Sequence, residues 1–155
     1  TTDPRAKFVS SFTGEGQLVA VGDSGLDVTN CFFEDPRFPG PVPHYPGVNL
    51  DHRKVVSYVE LATPGHDIQE DYAQGHGTHV AGSVAGATSN PEYALWNGVA
   101  TGAKLFILDV GVRDGADDLN FPSDFVQGYL QPAYGLGARI ISNSWGASRP
   151  TNYRS

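Results

Sequence analysis

The sequence predicts an α/β fold: an open, mostly parallel sheet with helices on both faces. Three observations carry this. Short apolar runs rich in β-branched residues occur at residues 17–21, 55–61, 105–110 and 139–142, as expected of strands covered on both sides. Helix-like segments separate the later ones, at residues 76–87 and after Ser123. Strand and helix alternating at these spacings build βαβ units around a parallel sheet.

Each element has its own justification. Residues 17–21 (Gln-Leu-Val-Ala-Val) read as a buried strand stopped by Gly22. Pro36, Pro39, Pro41, Pro43 and Pro46 mark a loop, because proline fixes φ and donates no backbone hydrogen bond. Residues 55–61 make a second strand. Residues 76–87 are built mostly of small residues, with glycines at 77, 82 and 86. Each glycine costs about 1 kcal/mol of helix propensity, so this helix is expected only if buried and tightly packed. Residues 105–110 (Leu-Phe-Ile-Leu-Asp-Val) form a strand covered on both faces. Ser123 is placed to cap a helix whose apolar positions Phe125, Tyr129 and Ala133 recur every four residues. Pro132 should bend that helix, and Gly135 or Gly137 should end it. Residues 139–142 supply the last strand, with Ile140 and Ile141 at its centre.

Composition narrows the function. The 155 residues suit one domain with a sizeable core. With 39% apolar and 17% charged residues, the chain is globular and not disordered. Seventeen acidic against ten basic residues, a net charge of −7, lack the basic footprint of a nucleic-acid binder. No apolar run approaches the roughly 18–20 residues of a membrane span. The lone Cys31 has no partner within the chain. It is expected to be a small apolar filler, or to pair with a segment outside this sequence. The opening Thr-Thr-Asp-Pro-Arg carries no signal-peptide pattern.

In open α/β sheets, ligand groups gather beyond the carboxyl ends of the strands. That rule points to Asp23 after the first strand, and to Ser144, Trp145 and Gly146 after the last. Asp23 lies on a turn between Gly22 and Gly25, and His76 opens the small-residue helix. A carboxylate that engages one imidazole nitrogen fixes the tautomer and leaves the other as general base. Such a pair needs a nucleophile beside the imidazole. Taken singly, Asp23 reads as readily as a turn cap and His76 as a satisfied core histidine.

Together, with their neighbours, they resemble the subtilisin-like serine proteases, whose triad runs Asp, His, Ser along the chain. The segment Val19-Ala20-Val21-Gly22-Asp23-Ser24-Gly25-Leu26-Asp27 resembles the family's aspartate motif. Gly75-His76-Gly77-Thr78-His79-Val80-Ala81-Gly82 is similar to its histidine motif, nearly letter for letter. Asn97-Gly98-Val99-Ala100 followed by Ala103-Lys104-Leu105 resembles the approach to the family's next strand. Ile140-Ile141-Ser142-Asn143-Ser144-Trp145-Gly146 resembles the strand and rim of its specificity pocket. Gly82-Ser83-Val84-Ala85-Gly86 and Asn143-Ser144-Trp145-Gly146-Ala147 are similar to the large alkaline-protease branch.

The resemblance implies a subtilisin-like fold and peptide-bond hydrolysis. Asp23 would be the triad acid, His76 the general base, and His79 a structural residue bonding within its helix. Ser144, Trp145 and Gly146 would form a backbone rail against which a peptide or protein substrate lies as an added strand. The facing rail falls within residues 118–121, with Asn120 as its substrate-binding candidate. Asp114, Asp117 and Asp118 read as a solvated acidic loop, with preference for basic substrate side chains as the sharper alternative. No cofactor is needed for the chemistry. Structural calcium is implied by analogy, with Asp27, Asn90 and Glu92 as the kind of oxygen donors used. Secretion is likewise implied.

The chain also departs from the family pattern. No Gly-Thr-Ser-Met-Ala-type nucleophile motif occurs, and the oxyanion Asn, expected some distance after the Ser-Trp-Gly rim, has no candidate because only nine residues follow Gly146. Ser24, Ser83, Ser144 and Ser155 do not qualify as the nucleophile. The expectation is therefore a lead-in at residues 1–16 and the N-terminal portion of a catalytic domain at residues 17–155. That portion would be inactive alone and paired with a C-terminal complement carrying the serine. The rival reading is a non-catalytic homologue that binds peptide or a partner chain. A dinucleotide site fails because Gly75 and Gly77 follow a polar loop and not a strand. A zinc site from Asp23, His76 and His79 lacks the usual intervening Glu.

Overall fold

The computed structural model describes residues 12–62, 69–71, 74–112 and 118–146. Four strands form one sheet: β1 (Leu18–Asp23), β2 (Val55–Glu60), β3 (Lys104–Asp109) and β4 (Ile140–Asn143). Their order is β2-β3-β1-β4, and every pairing is parallel. Helix α1 (His76–Ala85) connects β2 to β3. Between β3 and β4, a π-helical turn (Val126–Leu130) runs into α2 (Gln131–Leu136).

The strand pleat sends alternate side chains to two cores. Val19 and Val21 of β1 and Leu105 and Ile107 of β3 pack with Leu26, Phe33, Ala81 and Ala85 on the α1 side. Ala20, Phe106 and Leu108 pack with Tyr129, Ala133 and Ala138 on the α2 side. Burying a side chain such as Phe106 or Leu108 contributes about 1.5–3 kcal/mol. Both faces are covered, which is why β3 reads as one unbroken apolar run. Among the described residues no helix is long and apolar enough to cross a membrane.

Several local expectations change. Gly22 does not stop β1: the strand continues through Asp23, with Gly22 paired to Leu108 and Asn143. Helix α1 is buried on one face only. Gly77, Ala81 and Ala85 face the core, whereas His76, His79 and Ser83 are exposed. Ser123 is not the cap of the later helix, because Asp124 Oδ1 accepts from the Gln127 amide at 2.9 Å. Pro132, lacking an N–H, sits where the chain passes from π to α geometry. Gly137, at φ +105°, ends α2 where left-handed backbone is needed. Ile140 on the outer strand β4 is 61% exposed. Cys31 is exposed and free, not an apolar filler.

Candidate active site

Asp23 is the last residue of β1, and His76 the first of α1. Their side chains meet: His76 Nδ1 lies 2.7 Å from Asp23 Oδ1. The Asp23 side chain is 2% exposed and the His76 side chain 52%, so a buried acid holds a half-exposed imidazole. The Ser24 amide also donates to Asp23 Oδ1, at 2.8 Å. With Nδ1 committed to the carboxylate, Nε2 is the nitrogen left for proton transfer. The hydrogen bond to Asp23 raises the His76 pKa above its ordinary value, with help from the charge of Asp23. Partial burial opposes the rise, and the charge of Asp71 adds to it. Asp23 Oδ2 is buried without a hydrogen-bond partner among the described residues.

A second acid organises the start of α1. The residue at the helix N-cap is Gly75, at φ +79°, and it has no side chain with which to cap. The orphan amides are satisfied from elsewhere. Thr78 N donates to Asp71 Oδ2 at 2.7 Å, and Gly77 N donates to Ser24 Oγ at 3.0 Å. Ser24 Oγ lies 2.9 Å from Asp71 Oδ1 and 3.2 Å from Asp23 Oδ1, so the shorter contact of its hydroxyl is to Asp71. Asp27 N donates to Thr78 Oγ1 at 3.0 Å. The loop after β1 is thereby stitched to the helix that carries His76. Asp71 was not singled out in the sequence; a glycine N-cap with an acid a few residues upstream was the available signal.

Beneath this loop, Tyr58 Oη donates to Asp109 Oδ2 at 2.7 Å and accepts from Leu26 N at 3.2 Å. Gly111 N donates to the other oxygen of Asp109 at 2.9 Å. Burial and the neighbouring Asp109 charge push the Tyr58 phenol well above its ordinary pKa. These ties fix the carboxyl ends of β1, β2 and β3 against one another. Asp109 looked like one more residue of an apolar strand, so the sequence hid it.

The segments around Asn120 and Trp145 meet through Phe121 and Trp145. Ser144, Trp145 and Gly146 follow β4 and are exposed. Trp145 Nε1 donates to Gly22 O at 2.9 Å, which anchors the indole beside the acid. Its ring lies 4.6 Å from Phe121, next to Asn120. Asn120 is exposed; its amide donates to Val110 O at 2.8 Å and its Nδ2 to Ala62 O at 3.4 Å. Tyr129 is buried between these segments, and its hydroxyl donates to Asn143 Oδ1. Burial pushes the Tyr129 phenol up to about 12, so it remains a neutral donor. Its bond to Asn143 was missed, because the sequence showed only an apolar helix position.

Other candidates do not converge here. The His79 ring makes no side-chain hydrogen bond within its helix; it lines an open apolar cleft with Phe32, Leu95 and Trp96. Asp114 and Asp117 lie outside the described residues. Asp27 Oδ1 accepts from Thr29 N and Oγ1 at 2.9 and 2.7 Å, and Asn90 Oδ1 from Glu92 N at 3.0 Å. Those oxygens serve local turns. Among the described residues no three His, Cys, Asp or Glu side chains gather as a metal site.

Comparison with known proteins agrees with this architecture. The model of the subtilase family matches residues 14–155. The serine protease/ABC transporter B family proteins tagD and tagB of Dictyostelium discoideum are 43% and 41% identical to this chain, each over 136 residues. Those matches cover 86% of this chain and 7% of each relative, so the chain spans a small part of their length. The structure of the Clostridium perfringens CspB protease superposes with a TM-score of 0.59 at 18% identity, covering 92% of this chain and 31% of that one. That likeness is one of fold. With the family model spanning nearly the whole sequence, the chain belongs to the subtilase family.

Proposed function

We propose that this chain supplies the acid and the base of a serine endopeptidase, Asp23 and His76, to a triad completed by a serine outside it. The observation that carries the reading is the 2.7 Å contact between a buried carboxylate and a half-exposed imidazole. In the reaction, His76 Nε2 takes the proton of the serine hydroxyl as that oxygen attacks the peptide carbonyl. The resulting imidazolium is stabilised by Asp23, which stays ionised. His76 then returns the proton to the leaving amine. Ser144, Trp145, Gly146 and Asn120 form the rails that hold the peptide as an added strand.

No described serine fits the nucleophile. Ser24 Oγ is held by Asp71 and Gly77 beside the acid. The reading therefore includes a C-terminal complement with the serine and the oxyanion donor, and no activity from this chain alone. Exposed Val126, Tyr134 and Ile140 on the elements at the β4 edge support such a covering segment. Structural calcium, where bound, would draw on oxygens other than those of Asp27 and Asn90 engaged in turns. An extracellular location accompanies the proposal.

Labelling of the native protein with a serine-reactive fluorophosphonate, read by denaturing mass spectrometry, tests the reading. An adduct on a segment or companion polypeptide outside these 155 residues is expected. Absence of any adduct on the complete protein would overturn the enzyme reading and favour a peptide-binding homologue.

A further inference from the structure

The Tyr129 hydroxyl occupies the space that a side chain at Gly22 would take: a Cβ built on Gly22 overlaps it and falls 2.6 Å from Tyr129 Cζ. The hydroxyl donates to Asn143 Oδ1. The pairing of β1 with β4 ends at this same pair, Gly22 and Asn143. Tyr129 therefore bridges the two strand ends where their ladder stops. One residue further on lie Asp23 on β1 and Ser144 after β4.

The ring is as constrained as the hydroxyl. It stacks on Phe125 at 4.6 Å and meets Phe121 edge-on at 5.8 Å. Phe121 in turn touches Trp145, whose indole returns to Gly22 O. Gly22, Tyr129, Asn143, Trp145 and Phe121 thus form a closed circuit. Apolar packing alone would be met by phenylalanine; the hydroxyl, and a glycine emptied to receive it, call for a further purpose.

We propose that Tyr129 is a positioning residue that fixes the spacing between the acid at Asp23 and the substrate rail at Ser144, Trp145 and Gly146. This rests on the peptidase reading above. The hydroxyl acts through Asn143 on the rail and touches neither the substrate nor the Asp23–His76 pair.

The test is Tyr129→Phe in the complete protein, nucleophile-bearing segment included. A tetrapeptide anilide, which lies along the rail, is compared with p-nitrophenyl acetate, which engages only the reacting groups. On the anilide, kcat/KM falls about fivefold, the scale of one neutral hydrogen bond, chiefly through KM. Acetate hydrolysis stays within about twofold, and the acidic limb of the pH profile does not move. Equal losses on both substrates, or none on either, overturn the assignment. If the wild-type protein cleaves neither substrate, the peptidase reading falls, and amide hydrogen exchange then judges Tyr129. Faster exchange at Asn143, Ser144, Trp145 and Gly146 with β3 unchanged upholds the positioning role, and unaltered exchange sinks it.

Discussion

Gly25 and Gly77 meet backbone to backbone: a side-chain carbon built on Gly77 would fall 3.0 Å from the Gly25 amide nitrogen and overlap the Gly25 carbonyl. This close approach seats the start of α1 against the loop after β1. It lets side chains 53 positions apart share a 2.7 Å hydrogen bond.

Gly77→Ala is accordingly expected to destabilise the protein by about 1–3 kcal/mol, the cost of overpacking. In a solvent-exposed helix the same change stabilises by roughly 1 kcal/mol, so the sign alone decides. Denaturant unfolding of variant and wild type gives the answer, and a stabilised variant would refute the contact.

Asp23→Asn removes the charge while keeping the shape, and presents an NH2 or a neutral oxygen to His76 Nδ1. The imidazole then loses the tautomer that exposes a basic Nε2. In the complete protein kcat should drop by about 10⁴-fold with little change in KM. A drop below tenfold would mean that Asp23 is only a turn cap.

The pH dependence follows from His76. Its folded pKa lies above the ordinary 6.5, and the base must be neutral to work, so activity rises with pH through that raised value. Asp23→Ala should move the acidic limb downward, since the largest cause of the shift is removed. For stability the sign is the reverse. A raised folded pKa means that the pair's contribution is fully present below 6.5 and is lost as pH climbs through the folded value. An NMR titration placing His76 at or below 6.5 would contradict both statements.

Lys54 offers a check unrelated to the site. Its side chain is buried, and Nζ donates to Thr101 O at 2.9 Å and Ala103 O at 2.7 Å. Burial, with smaller effects from Arg53 and Lys104, lowers its pKa from 10.5 to about 8. The unfolded chain then binds more protons than the folded one between these values, so stability rises with pH across that window. Relative to Lys54→Met, the wild type should gain on the order of 2–3 kcal/mol between pH 8 and 10.5. Chemical denaturation of both proteins across that range reads the difference, and a flat difference would disprove the shift.

The sequence by itself determined the layer architecture and pointed to Asp23 and His76 as the candidate acid and base. Unbroken apolar runs at β1 and β3 are what a doubly covered parallel sheet requires, and Asp23 and His76 sat in local motifs whose spacing survives in any one chain. What lay beyond local reach was decided by tertiary structure. Ser24 meets Asp71 and the Gly77 amide only because the loop after β1 folds back onto the start of α1. Asp109 and Tyr58 form a buried pair only across strands. The exposure of Ile140 depends on which elements reach β4, and periodicity does not encode that. The placement of Tyr129 in the hollow left by Gly22 depends on two elements that are distant in sequence. Hydrophobic pattern records which side chains leave water; which polar atoms then meet inside is set by the approach of backbones, and here by glycines at 22, 25 and 77 that allow it.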